Sequence, residues 1–273
     1  MAAAHPVPQL MGILNVTPDS FSDGGQLADA ALVVQRAQQH VAEGATWLDV
    51  GAESTRPGAQ FISVDEELRR LLPALQALQA ARLEARISVD TRRAAVAAQA
   101  LAHGADAIND VSALSDPKMA PLVAEAQAPI ILMHWAGDRP VGGAQGVHHP
   151  NVVETVCSFL DAARAKALQA GVQPHNIWLD PGLGFGKSMN DNLVLTQRLD
   201  RLVALGQPVV YGASRKGFLQ RLVGRKSSEC DGATAAACCV ATLRGAQLLR
   251  VHSPGAVRDA VLVASALRDA SAP

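Results

Sequence analysis

The feature that most constrains this chain is a pattern repeated from one end to the other. A short apolar run closes on a polar or charged residue, and a helix-like stretch follows. The runs are Leu10–Val16, Thr46–Val50, Arg86–Val89, Ala107–Asn109, Pro129–Met133, Asn176–Leu179, Pro208–Tyr211 and Leu248–Val251. Strands that alternate with helices build a parallel sheet. Eight such units predict an α/β protein, a (β/α)8 TIM barrel in a single domain, and the 273 residues suit one barrel of about 250 residues. The expected layout is an N-terminal extension over 1–9 and a catalytic barrel domain over 10–270. In that fold the active site lies at the C-terminal ends of the strands. Asn15, Asp49, Asp90, Asn109, His134, Asp180, Ser214 with Lys216, and Arg250 with His252 stand at or just past those ends. A barrel that served only as scaffold would not need them.

The formal net charge of −1 disfavours nucleic acid and anionic membranes as partners. Met1–Pro8 has neither a basic segment nor a long apolar one, so no secretory signal is expected. The longest small and apolar stretch, Gly232–Leu243, is far short of the roughly 20 residues that span a bilayer and reads as a buried helix. The four cysteines form no C-x-x-C pair; Cys238 and Cys239 read as small core residues. A cytoplasmic, reduced protein is expected.

Helices are expected over Asp29–Glu43, from Asp65 onward, and over Arg92–His103, Lys118–Ala126, Val152–Ala170, Asn190–Leu205, Lys216–Val223 and Asp231–Ala246. Gly44, Gly104, Gly171 and Gly206 mark helix ends. Asp65, Glu66 and Glu67 complement the dipole of their helix. The last helix should start with Ser253 as N-cap and Pro254 in its first turn.

Asp180 ends the sixth strand, where its carboxylate can accept two parallel N–H bonds from the amide-plus-amine edge of a heterocycle. Asp90 and Asn109 could converge on the same pocket. Each alone could equally be a cap or turn former; their convergence is what points to a ligand. The run Pro181-Gly-Leu-Gly-Phe-Gly-Lys-Ser188 resembles a P-loop but fails, because Pro181 occupies the place of its first glycine. It reads instead as a flexible turn that brings Phe185 over a flat ligand, with Lys187 as a weaker candidate or a solvated charge. After strands seven and eight, where this fold commonly binds phosphate, stand Ser214-Arg215-Lys216 and Arg250-Val251-His252-Ser253. The helix start at Ser253, with Arg250 and His252, describes an oxyanion or phosphate site. The other histidines, including the pair His148-His149, lack metal-ligand spacing and read as structural.

Eight blocks of the chain, in order, resemble the dihydropteroate synthase family. They are 11–25 (MGILNVTPDSFSDGG), 49–58 (DVGAESTRPG), 88–91 (SVDT), 108–110 (IND) with 132–134 (LMH), 180–187 (DPGLGFGK), 214–219 (SRKGFL) and 250–252 (RVH). The likeness runs from the first strand to the last helix, and its first two blocks are long and specific. It implies a transferase that condenses 6-hydroxymethyl-7,8-dihydropterin pyrophosphate with p-aminobenzoate, giving dihydropteroate and pyrophosphate in folate biosynthesis.

The same resemblance implies roles. Asp90, Asn109, Met133, Asp180, Gly212 and Lys216 would contact the pterin. Phe21, Thr55, Pro57, Phe185 and Ser214 would contact p-aminobenzoate. Asn15, Thr55, Arg56, Arg250 and His252 would contact the pyrophosphate, with Asn15 also a ligand of Mg2+. Lys216, Asp90, Arg250 and His252 are the catalytic candidates, and a homodimer packed through late helices is implied.

Two positions depart from the family's usual pattern: Trp135 follows Leu132-Met-His134, and Ser253 stands where an Asp is common. The rival readings are a pterin-binding methyltransferase domain of the cobalamin-dependent type and a catalytically silent pterin-binding paralogue. Loop one (Thr17-Pro-Asp-Ser-Phe-Ser-Asp23), Ser214-Arg-Lys216 and the lack of a cobalamin module favour the synthase over the first. Turnover distinguishes it from the second.

Overall fold

The computed structural model describes residues 6–16, 25–54, 61–136 and 149–270. Eight parallel strands are present: β1 (Gln9–Asn15), β2 (Trp47–Gly51), β3 (Arg86–Asp90), β4 (Ala107–Asp110), β5 (Ile130–Met133), β6 (Ile177–Asp180), β7 (Val210–Tyr211) and β8 (Leu248–Val251). Hydrogen bonding follows the order β6-β5-β4-β3-β2-β1-β8-β7. A single parallel bridge, Leu179 to Val209, joins the two ends and all but closes the barrel. The architecture is the expected TIM-like barrel.

Ten α-helices are seen among the described residues, namely α1 (Gly25–Ala42), α2 (Val64–Ala81), α3 (Ala94–Ala102), α4 (Met119–Glu125), α5 (Val152–Gln169), α6 (Met189–Gln197), α7 (Asp200–Val203), α8 (Gly217–Val223), α9 (Asp231–Leu243) and α10 (Pro254–Asp269). None is long and apolar enough to cross a membrane.

Strand alternation divides the interior in two, because successive side chains point to opposite faces of a sheet. Leu10, Leu14, Leu48, Val50, Val89, Ile108, Leu132, Leu179 and Leu249 pack outward with the helices in one large core. Their neighbours Met11, Trp47, Ala107, Ile131, Val210 and Leu248 form a separate cluster inside the barrel. Trp47 meets Trp178 edge to face, with centroids 6.1 Å apart, and donates its indole N–H to Gln9 Oε1 at 2.7 Å. This plug fills the lower barrel, so the barrel interior opens at the upper ends of the strands.

The helices follow from their sequences. On α2, Leu71, Leu75 and Leu78 recur at helical spacing and are buried, each contributing about 1.5–3 kcal/mol. Ser63 caps its start by accepting from Glu66 N at 3.2 Å. The four predicted helix-ending glycines all take positive φ. The single helix expected over Asn190–Leu205 is instead two, α6 and α7, broken at Arg198, which turns Leu199 and Leu202 into the core. Strand seven is shorter than expected because Pro208 has no N–H to continue the ladder; its carbonyl still accepts from Leu179 N at 2.9 Å.

Candidate active site

The inward-facing residues above the plug are polar. Asp90, Asn109, Met133, Asp180, Gly212, Lys216 and Arg250 line one cleft, walled further by Val111, Gly182, Leu183 and Phe185. All six residues expected to contact the pterin are therefore brought together, and Phe185 joins them.

Arg250 is the centre of the charge arrangement. Its Nε donates to Asp49 Oδ2 at 2.6 Å and its Nη2 to Asp90 Oδ2 at 3.0 Å. Asn109 Nδ2 also donates to Asp49 Oδ2, at 3.1 Å. Burial holds Asp90 well above the ordinary carboxylate range, at about 7, against the pull of Arg250. Burial also raises Asp180, whose Oδ1 accepts from Gly182 N at 2.7 Å. Gly212 leaves open the space between these groups: a Cβ there would lie 3.6 Å from Asp180 Oδ2 and 4.0 Å from Arg250 Cβ. Burial and the nearby Arg250 bring Lys216 down to about 8. Its Nζ lies 4.2 Å from the centroid of the Phe185 ring, a cation–π contact.

The turn after β6 is pinned rather than flexible. Lys187 is buried, not a solvated charge. Its Nζ donates to the carbonyls of Gly182 at 2.8 Å and Phe185 at 3.1 Å, and lies 2.8 Å from His134 Nδ1. Burial lowers Lys187 to about 7. Burial, then Lys187, hold His134 at about 3, so its Nδ1 is an acceptor. Glycine is required here: a Cβ at Gly182 (φ 64°) would lie 1.8 Å from His134 O, and one at Gly186 (φ 66°) 2.3 Å from Ala136 O. Asn192 on α6 accepts from Gly184 N at 2.7 Å. Trp135, the first departure from the family pattern, packs with Val111, Met133 and Phe185 and donates its indole N–H to Ser112 O at 3.2 Å. It buttresses one wall of the cleft.

On the other side, Ser214 Oγ accepts from His252 N at 3.1 Å and lies 3.0 Å from His252 Nδ1. Ser214 thus bonds His252 and is not among the residues lining the cleft. Ser253 occupies the N-cap position of α10, but its hydroxyl makes no capping bond; it accepts from Arg215 Nη2 at 2.8 Å. Arg215 is otherwise held bidentately by Asp231, at 2.8 and 2.9 Å. Asn15 ends β1 beside Gly51, which in turn pairs with Asp90. Phe21, Thr55, Arg56 and Pro57 lie outside the described residues.

Two groups were not singled out as site residues from the sequence. Asp49 opens the second family block, and its place at a strand end was the available signal. The second is an ion network around the base of loop two. Arg93 donates to Glu53 Oε1 at 2.8 Å, to Ile62 O at 2.6 Å and to the buried Glu67, which also accepts from Thr91 Oγ1 at 2.6 Å. No periodicity announces it.

Among the described residues no group of three His, Cys, Asp or Glu is placed to hold a metal ion. Asn15, at the C-terminal end of β1, carries one amide oxygen. That donor set suits Mg2+ carried on a phosphate-bearing substrate, since this ion keeps few protein ligands and takes the rest from phosphate and water.

A parallel barrel whose mouth sets buried carboxylates and an amide beside an arginine and a lysine defines a binder of a flat, hydrogen-bonding heterocycle with an anionic tail. The family model described as pterin binding enzyme matches residues 11–252. The dihydropteroate synthase of Streptococcus pyogenes is 46% identical over 261 residues, covering 94% of this chain and 95% of its own. The Xanthomonas albilineans dihydropteroate synthase solved with 4-aminobenzoic acid superposes with a TM-score of 0.90 at 43% identity, covering 97% of this chain and 94% of its own. The same organism's enzyme in complex with 7,8-dihydropteroate gives a TM-score of 0.86 at 39% identity, over 97% of this chain and 95% of its own. The chain belongs to the dihydropteroate synthases, which are transferases.

Proposed function

We propose that this mouth joins 6-hydroxymethyl-7,8-dihydropterin pyrophosphate to p-aminobenzoate, releasing pyrophosphate. The observation that carries the reading is the single cleft in which Asp180, Asp90 and Asn109 meet Arg250 and Lys216. The carboxylate of Asp180 takes the amide and amino edge of the pterin, and Asp90 and Asn109 take its remaining polar atoms. Met133 and Phe185 supply apolar walls, and Lys216 lies along the ring. Arg250, His252, Asn15 and the start of α10 face the diphosphate.

The bond between the methylene carbon and the diphosphate oxygen breaks, and its electron pair leaves on the diphosphate. The methylene cation delocalises into the pterin ring, where Asp90 and Asp180 favour positive charge. Arg250, His252 and the free N–H groups of α10 stabilise the departing anion. Asn15 would help to hold Mg2+, which would supply further charge neutralisation. The p-aminobenzoate amine is neutral at pH 7. Its lone pair closes the new C–N bond, and its proton passes to solvent. No strong base is required, so positioning supplies the remaining rate. Phe21, Thr55, Arg56, Pro57 and Ser214 belong to the p-aminobenzoate and anion side on the strength of the family resemblance.

The same reading includes a homodimer. It is supported by Val240 and Leu243 on α9 and Leu262, Val263 and Leu267 on α10, which are apolar and exposed on two helices packed together. Sedimentation as a monomer at micromolar concentration would remove it. A cytoplasmic location fits the four free thiols.

A pyrophosphate-release assay with both substrates and Mg2+ tests the reaction. Release that requires p-aminobenzoate supports it. Pterin binding without release supports the silent paralogue. Methyl transfer from methyltetrahydrofolate to a corrinoid would support the methyltransferase reading.

A further inference from the structure

Asp49 is fully buried, projects into the barrel from β2, and lies below the cleft rather than in it. One of its oxygens serves two partners: Oδ2 accepts from Arg250 Nε at 2.6 Å and from Asn109 Nδ2 at 3.1 Å. Those partners belong to different halves of the mouth, Asn109 to the ring half and Arg250 to the anion half. Its other oxygen, Oδ1, is buried and bonds no group among the described residues, and the same holds for Ser88 Oγ on the neighbouring strand. A carboxylate that maintained the fold alone would be expected to satisfy both oxygens, since leaving a buried polar atom unpaired is costly. Here the oxygen that is bonded serves two site residues at once.

We propose that Asp49 is a positioning residue for the reaction, holding Arg250 and Asn109 in one fixed arrangement so that the grip on the ring and the grip on its diphosphate tail are set together. Asp49 touches neither substrate in this assignment. It acts through Arg250, whose guanidinium is planar and forked and so can be oriented by one bond at Nε while Nη2 reaches Asp90. The arrangement also sets the electrostatics of Asp90, which is faced by Arg250 from β8, Asp49 from β2, Glu67 from α2 and Lys216 from the loop after β7. The Asp49 charge pushes Asp90 towards protonation, and the Arg250 charge opposes it.

This inference rests on the proposed reaction, and its test separates the two. Wild type, Asp49→Asn, Arg250→Lys and the double variant are assayed for pyrophosphate release, and thermal melts confirm folding. Asp49→Ser replaces Asp49→Asn should the latter not fold. In Asp49→Asn, kcat/KM for the pterin substrate should fall by up to about 100-fold, the scale of a misplaced catalytic group, while KM for p-aminobenzoate stays within about two-fold. The acid limb of the kcat/KM profile should move to lower pH, because Asp90 loses a like charge. The effects of Asp49→Asn and Arg250→Lys should be less than additive, since one acts through the other. A purely structural Asp49 would lower the melting temperature and leave the pH profile in place. An unmoved acid limb, or full additivity with Arg250→Lys, overturns the assignment. Absence of release from wild type would instead overturn the reaction itself.

Discussion

Arg250 Nη2 lies 3.0 Å from Asp90 Oδ2, so the cation proposed to face the diphosphate and a carboxylate proposed to face the ring form one ion pair across the barrel mouth. Replacing Arg250 by Ala therefore has two consequences. It removes the donor expected to stabilise the departing diphosphate, which should lower kcat/KM for the pterin substrate by about 10²–10³-fold, as for loss of an oxyanion donor. It also leaves Asp49 and Asp90 without their cation, which should cost about 3–5 kcal/mol of stability. Steady-state kinetics and denaturant titration check both. KM for p-aminobenzoate should change little; a larger effect there than on the pterin substrate would mean that the anion half is misassigned.

Asp180→Asn tests the ring half. An amide cannot accept two N–H bonds side by side, so pterin affinity should fall by about 1.5–3 kcal/mol. Calorimetry with a pterin analogue measures it. Unchanged affinity would place the ring elsewhere.

Gly182→Ala tests the pinned turn. The new methyl would overlap His134 O, and the φ of 64° is unfavourable for alanine. A loss of more than about 1 kcal/mol is expected, read from urea unfolding midpoints. A neutral result would show that the turn relaxes freely.

Lys187 predicts a pH effect on stability. Its folded value, near 7, lies below the unfolded value of 10.5 because burial disfavours the ammonium. Between pH 7 and 10.5 the unfolded chain binds the extra proton, so this residue makes stability rise with pH across that window. Lys187→Met should flatten the rise between pH 7.5 and 9.5 in urea titrations. An identical slope in both proteins would contradict the assignment.

The barrel was legible from the alternation of apolar runs with helical stretches, and the strand-end polar residues from their place in it. The inward or outward sense of each residue follows from the period-two alternation, which puts Leu48 and Val50 with the helices and Asp49 in the barrel. What Asp49 bonds was not legible, because Arg250 is 201 residues away and only barrel closure brings them together. Whether Lys187 is buried or solvated was not legible, because its partners are mostly backbone carbonyls, which carry no sequence signal. The break at Arg198 was hidden by continuous helical periodicity, and Ser253 was drawn from capping by Arg215, a contact across 38 positions.

The barrel is cinched at its seam by one rung, Leu179 to Val209, just beneath Asp180. Beyond that rung, Asp180 and Gly212 face the cleft from staves that share no further ladder, and Gly212 contributes no side chain. The hoop is thus thinnest where the ring's recognition edge is expected to rest. Amide exchange should register that slot as the first part of the sheet to loosen, and any tightening by a bound pterin should show there before it shows in the well-laddered arc from β1 to β5.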